Sequence, residues 1–223
     1  ISKSKNKLSK LFANYKIPYV TTWSGKDCCF YGQKNYVGTI GVYGSRAANF
    51  AVQNSDFILN FGSRLDTRIT GANPGTFARN AKIVSIDIDK NELNKQRGLK
   101  NYLKLNYNLG DFLKKFNKKA KYSCDISWLE KCEEWNINYP NVLEKWRKQK
   151  KLTNPYFFIE ILSEELNNKD IIIADDGAHL TWAVQAFKIK KGQRFFSAFG
   201  NSPMGYALPA SIGASLVKNK KRV

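Results

Sequence analysis

The sequence contains one histidine, His179, and one methionine, Met204. Its four cysteines, Cys28, Cys29, Cys124 and Cys132, form no C-x-x-C pair, and His179 is far from all of them along the chain. That pattern excludes the common zinc-binding spacings. Adjacent Cys28 and Cys29 are poorly placed to bond each other, so reduced thiols in a cytoplasmic protein are expected. No apolar run reaches the roughly 18 to 20 residues of a membrane span. The opening Ile1-Ser2-Lys3-Ser4-Lys5 lacks the apolar core of a secretory leader. Acidic residues are scarce, 18 against 37 lysines and arginines, for a formal net charge of +19. The lysines are scattered, without aromatic interleaving or a nucleic-acid motif. The charge is therefore read as a solvated surface, and neither a nucleic acid nor a membrane is expected as a partner.

What is present suffices for a folded chain: 223 residues, 43% of them hydrophobic and 25% charged. Because Met204 is the only methionine and Lys220-Lys221-Arg222-Val223 ends on a polar turn, both ends read as cut. The chain is expected to be a fragment of a longer protein.

Helix-like and strand-like segments alternate. Leu8, Leu11, Phe12 and Tyr15 have helical spacing, and Ile17–Thr22 is a short β-prone run. A glycine-punctuated loop spans 32–44, and a helix with small Ala47, Ala48 and Ala51 is expected over 45–54. Residues 56–61 and 83–88 are continuous apolar strands. Such strands separated by helices mark a parallel sheet covered on both faces, with ligands at the carboxyl ends of its strands. Residues 111–150 are richer in Lys, Glu and Trp. A new unit begins near Asn154-Pro155, with a helix to about 167 and a strand at 171–174. A turn at Asp175-Asp176-Gly177 leads to a helix over about 179–187. A short strand at 194–197 and a helix from about 205 to 217 follow. The domains are set at 1–120, a connector at 121–152, and 153–223.

Five constellations carry chemistry. Gly38–Gly44 is rich in glycine and precedes a helix, which suits close approach to an anion. Gly62-Ser63-Arg64-Leu65-Asp66-Thr67-Arg68 sets two arginines after a buried strand, able to pair with a diphosphate or stack on a flat ring. Asp87-Ile88-Asp89 offers a carboxylate to a ribose hydroxyl, or a helix cap. Asp176-Gly177-Ala178-His179 joins a strand to a helix and suits a phosphate. Phe199–Ala210 places Met204, bulky and adaptable, before a helix of small residues.

Their order and spacing resemble the acetolactate synthases, a family of thiamine-diphosphate enzymes. The resemblance runs from Pro18-Tyr19-Val20-Thr21-Thr22 through Ala48–Asp56, Gly62–Gly71, Phe77–Ile83 and Asp87-Ile88-Asp89, then through Gly177–Gln185 and Phe196–Ala214. It implies a doubly wound α/β central domain of the DHS-like, FAD/NAD-binding kind, with a six-stranded parallel sheet. To this it adds the first part of an α/β thiamine-diphosphate-binding domain. It places FAD contacts at Thr22, Trp23, Ser24, Tyr43, Gly44, Gly62, Arg64, Arg68, Asp87 and Asp111. It places thiamine-diphosphate contacts at Gly177, Ala178, His179, Ser202 and Met204. The family usually has histidine at the place of Tyr43, a second aspartate at that of Thr67, and often glutamine at that of Ala178.

The activity implied is decarboxylation of a 2-keto acid, pyruvate, with transfer of the acyl carbanion to a second keto acid. Related decarboxylases, keto-sugar acetyl transferases and a non-catalytic FAD- or nucleotide-binding module are the alternatives. The ligands of Mg²⁺ and the catalytic glutamate would lie outside these residues, so no catalytic or metal-binding residue is assigned and the fragment alone is expected to be inactive. A homodimer or homotetramer, with a regulatory subunit as a further partner, is implied for the parent protein.

Overall fold

A computed structural model describes residues 4, 7–8, 11–12, 15–95, 98–119, 124–217 and 222–223. The chain forms two compact units. The first joins Ile1–Thr22 to Lys34–Tyr139, and the second joins Trp23–Gln33 to Pro140–Val223.

In the first unit, β1 (Tyr19–Thr21) and β2 (Tyr36–Thr39) pair in parallel. β3 (Phe57–Phe61), β4 (Lys82–Asp87) and β5 (Tyr102–Asn106) form a second parallel sheet in that order. Ile58 lies opposite Ile83, and Ile86 opposite Leu105. Ile83, Val84, Ser85 and Ile86 are all buried, as a central strand covered on both faces requires. The resemblance implied six strands in one sheet. The described residues of this unit instead carry two separate parallel ladders. Neither β2 nor β5 was anticipated. β2 lies in the stretch read as a loop and is made a strand by its ladder to β1; β5 is a largely exposed edge strand that depends on its ladder to β4.

α1 (Arg46–Gln53) begins where Ser45 accepts a hydrogen bond from the Ala48 N–H at 3.2 Å. Its buried Ala47, Ala48 and Ala51 allow close packing. Gly38 shows how close: a Cβ there would meet the Ser45 Oγ at 2.6 Å and the Ala48 Cβ at 3.5 Å. Two short helices follow, α2 (Thr67–Thr70) and α3 (Lys90–Asn94), then α4 (Leu109–Lys119) and α5 (Ile126–Asn138). Leu113 of α4 packs with Leu8 and Leu11, flanked by Phe12, Phe61 and Phe112. Each such buried leucine contributes roughly 1.5–3 kcal/mol. Lys7, Leu8, Leu11, Phe12 and Tyr15 are helical, as their spacing predicts; the positions between them lie outside the described residues. On α5, Trp135 lies 5.8 Å from the ring of Phe50 on α1, and Tyr139, which caps α5, lies 5.2 Å from the same ring.

The second unit contains α6 (Glu144–Arg147), α7 (Pro155–Glu165), β6 (Ile171–Ile173), α8 (Ala178–Ala186), β7 (Arg194–Phe196) and α9 (Ala207–Val217). β6 and β7 are parallel, with Ile172 opposite Phe195. Asn154 caps α7, accepting from the Tyr156 N–H at 3.0 Å, and Pro155 starts the helix where no amide donor is needed. Buried Glu160 pairs with Arg147 and, at 3.0 Å, with Lys188.

Residues 23–33 form a strap built into this unit. The Asp27 carboxylate accepts from the Arg194 Nε at 2.5 Å and from the Phe195 N–H at 3.3 Å. The Tyr31 N–H donates to the Ile189 carbonyl at 2.8 Å. Lys26 is buried and donates to the Val184 carbonyl at 2.8 Å. Burial pulls its pKa from 10.5 down to about 7. Among the described residues, no helix is long and apolar enough to cross a membrane.

Candidate functional site

The first unit presents its polar loops at the carboxyl ends of parallel strands. β2 runs into Gly41, and that turn is locked from several sides. The Gly44 N–H donates to the Gly41 carbonyl at 2.9 Å, the Ser45 N–H to the Thr39 carbonyl at 2.8 Å, and the Val42 N–H to the Arg68 carbonyl at 2.8 Å. Asn49 on α1 accepts from the Gly41 N–H at 2.9 Å and donates to the Gly41 carbonyl at 3.0 Å. A Cβ on Gly44 would lie 2.4 Å from the Thr39 carbonyl oxygen, and one on Gly41 would lie 2.6 Å from the Arg68 carbonyl oxygen. Only glycine fits either place. Val42 and Tyr43 between them are exposed.

β3 ends in a tight turn whose Gly62 and Leu65 both adopt left-handed conformations, with φ of 61° and 49°. The Gly62 N–H donates to the Ile86 carbonyl at 2.9 Å. Asn60 braces the turn, donating to the Ser63 carbonyl and to the Ser85 Oγ, both at 2.8 Å. Arg64 projects from this turn, 69% exposed at its side chain, with its Nε 3.9 Å from buried Glu92. Lys95 is the closer partner of Glu92, at 2.7 Å. Arg68 sits on α2, capped by Asp66, which accepts from the Arg68 N–H at 3.0 Å.

Asp87 ends β4, and its carboxylate accepts from the Asp89 N–H at 2.9 Å. Asp89 in turn caps α3 through the Asn91 and Glu92 amides. Of the two carboxylates, then, the second is the helix cap and the first stands at the strand end. Asp111 is on the first turn of α4, exposed, 3.3 Å from Lys114. Thr22 follows β1 in this unit. Trp23 and Ser24 belong to the strap of the second unit: Ser24 is exposed, whereas the Trp23 ring is buried.

In the second unit, β6 and β7 end at the same edge of their sheet. After β6, the exposed trio Gly177, Ala178 and His179 opens α8. Gly177 has φ 146°, and a Cβ there would meet the imidazole of His179 at 2.9 Å. The backbone is thus kept bare at the start of a nine-residue helix, where free N–H groups and the helix dipole favour an anion. After β7, the loop from Phe199 carries Ser202 in the left-handed region, at φ 49°, and Met204, 84% exposed.

Asp175 joins the two loops. Its carboxylate accepts from the Gly205 N–H at 2.9 Å and from the Ala207 N–H at 3.1 Å. Burial by itself raises its pKa, but the backbone donors at Ala207, Asp176, Gly205 and Tyr206 outweigh it and hold the carboxyl below its usual 3.8. Sequence reasoning took Asp175 only as part of a turn. The signal was there: an aspartate closing a parallel strand stands where such sheets bind ligands. Asn49 gave no comparable signal, because its role appears only once α1 is laid beside the Gly41 turn.

Two family profiles match this chain. One, described as the thiamine pyrophosphate enzyme central domain, covers residues 1–116. The other, the C-terminal thiamine-pyrophosphate-binding domain, covers residues 175–223. The chain is 31% identical over 224 residues to an acetolactate synthase large subunit of Cyanidium caldarium, matching 97% of this chain and 37% of that protein. It is 31% identical over 210 residues to the large subunit of Lactococcus lactis subsp. lactis, matching 94% of this chain and 36% of that protein. It is 31% identical over 221 residues to the chloroplastic acetolactate synthase 2 of Nicotiana tabacum, matching 96% of this chain and 32% of that protein. The chain thus spans about a third of the length of these curated relatives.

Proposed function

Because the chain belongs to the thiamine pyrophosphate enzymes, we propose that it is the central domain and the first part of the cofactor domain of an acetolactate synthase-like enzyme. The parent protein would decarboxylate pyruvate and transfer the acyl carbanion to a second keto acid. One observation carries the reading: the bare backbone of Gly177 and the Met204 loop lie at one edge of a parallel sheet, tied together by Asp175.

The residues present fit thiamine diphosphate. Gly177, Ala178 and His179 would hold the diphosphate tail on the N–H groups that open α8. Met204 would press beneath the thiamine ring system and keep it bent, and the Ser202 carbonyl would accept from the aminopyrimidine. When bound, the cofactor supplies the electron sink that allows carbon dioxide to leave a 2-keto acid. The chain's own part is to grip, bend and orient. No proton-transferring group is assigned to it.

In the first unit, Gly44, Gly62, Arg64, Arg68, Asp87 and Tyr43 would line a flavin-binding rim, with Thr22 and Asp111 as further contacts. The resemblance also implies flavin contacts for Trp23 and Ser24, which belong to the second unit. Glycine is obligatory at position 44, and Arg64 is exposed and able to meet a diphosphate. Mg²⁺ would be held by ligands outside these residues, and the parent would act in the cytoplasm as a homodimer or homotetramer, with a regulatory subunit as a further partner. The chain by itself would be inactive.

Calorimetric titration with thiamine diphosphate and Mg²⁺ tests this. Saturable binding that Gly177→Ala abolishes is the expected result, with no release of carbon dioxide from pyruvate. A chain that binds no thiamine diphosphate, or one that turns pyruvate over, would overturn the corresponding part of the proposal. Added FAD that leaves no flavin absorbance on the repurified protein would remove the flavin.

A further inference from the structure

We propose that Trp23, on the strap, is a positioning residue for the loop that carries Ser202 and Met204. The inference rests on the thiamine-diphosphate reading of that loop. Trp23 is a sequence neighbour of β1, and resemblance alone gives it to the flavin. Its ring goes elsewhere. Trp23 is 7% exposed, and its ring centroid lies 5.1 Å from that of Phe199, with the planes inclined at 48°.

Phe199 stands at the root of the loop. Past it the chain has no regular structure until α9: Ser202 donates its N–H to the Ala198 carbonyl at 2.9 Å, and Met204 projects outward. Asp175 fixes the far end, at Gly205 and Ala207. The near end is fixed by the aromatic contact. Trp23 can act as an anchor because the strap that carries it is tied down just beyond it. Lys26 is bonded to Val184, Asp27 to Arg194 and Phe195, and Tyr31 to Ile189, so the strap is tied to α8, to β7 and to the turn between them. A loop held at both ends presents Ser202 and Met204 in one geometry; a loop held at one end samples many. The indole therefore sets how well Met204 is placed beneath a bound ring without touching it.

Hydrogen exchange over residues 198–206 tests the anchor, read in wild type, Trp23→Ala, Trp23→Phe and Phe199→Leu. Trp23→Ala and Phe199→Leu are expected to raise loop exchange on the order of 10-fold while β6 and α7 keep their protection. Trp23→Phe, which keeps an aromatic ring, is expected to restore most of it. Loop exchange unchanged in both Trp23→Ala and Phe199→Leu overturns the proposal. So does an equal rise throughout the second unit that Trp23→Phe fails to rescue. Should Trp23→Ala not fold, Phe199→Leu, at a partly exposed position, decides. Thiamine diphosphate with Mg²⁺ is then titrated into the same proteins, with at least 10-fold weaker binding expected for Trp23→Ala. Wild type that binds none overturns the reading on which the proposal rests. Binding that Trp23→Ala leaves unweakened overturns the proposal alone.

Discussion

The Gly41–Gly44 turn of the first unit and the Phe199–Ala207 loop of the second both follow parallel strands, yet they are held by opposite means. The glycine turn is fixed mainly by its near neighbours, through backbone bonds within 39–45 and Asn49 eight residues on, with one longer tie from the Val42 N–H to the Arg68 carbonyl. Its shape is a steric necessity, since a Cβ on Gly44 has nowhere to go. The methionine loop is fixed mainly from afar. Asp175, 30 and 32 residues distant, holds one end, and Trp23 holds the other. The first design gives one rigid shape at the cost of tolerating almost no substitution. The second leaves the loop's own residues free to vary and moves the constraint to side chains elsewhere.

The largest expected effect separates the two designs directly. Gly44→Ala places a methyl group 2.4 Å from the Thr39 oxygen and 2.6 Å from the Ile40 carbonyl carbon, both backbone atoms. Neither can yield without moving the turn, so a loss of about 3 kcal/mol is expected. Gly200→Ala, in the other loop, meets nothing within 4 Å. It should stay within about 0.5 kcal/mol of wild type. Urea unfolding of the two variants gives the comparison, and equal losses would erase the distinction.

A remote tie should also respond to pH, as a steric turn does not. Lys26 is held near pKa 7 by burial, against 10.5 when exposed. Below pH 7 both folded and unfolded chains carry its proton, and the folded chain bears the full penalty of a buried charge. Between pH 7 and 10.5 only the unfolded chain holds the proton, so stability rises with pH. From pH 7 to 9 the gain is about 2 kcal/mol. Lys26→Met should remove that slope. Losing the bond to Val184 shifts the level of the curve and leaves its shape. Unfolding free energies of both proteins at the two pH values decide the matter, and parallel slopes would show that the strap does not hold a desolvated amine.

The same contrast explains what the sequence disclosed. β3, β4 and β6 are short, largely apolar runs of β-prone residues, and so were legible from residues alone. β2 and β5 were not, because Tyr36–Thr39 contains a glycine and Tyr102–Asn106 is mostly exposed; ladder pairing with a neighbour makes them strands. Gly177 and Met204 stood out as unusual residues in readable positions. The strap was invisible: nothing in Trp23–Gln33 says that its partners are Val184, Ile189, Arg194 and Phe199. Tertiary contacts between distant segments leave no local period or cap to read.

The smallest effect concerns the far anchor of the methionine loop. Asp175 is held below its usual 3.8 by the amides it accepts, despite the opposing pull of burial. A depressed carboxyl supports its clasp above 3.8 and loses it as pH falls through the folded value. The clasp is therefore intact at neutral pH and opens only in acid. Amide NMR shifts of Gly205 and Ala207 should move together with one midpoint below 3.8, while Gly44, whose partner is a backbone carbonyl, stays still. In Asp175→Asn both amides should be pH-independent over that range. A midpoint at or above 3.8, or separate midpoints for the two amides, would mean that a single carboxylate does not hold the loop, and the near anchor at Phe199 would then be left to fix Met204 by itself.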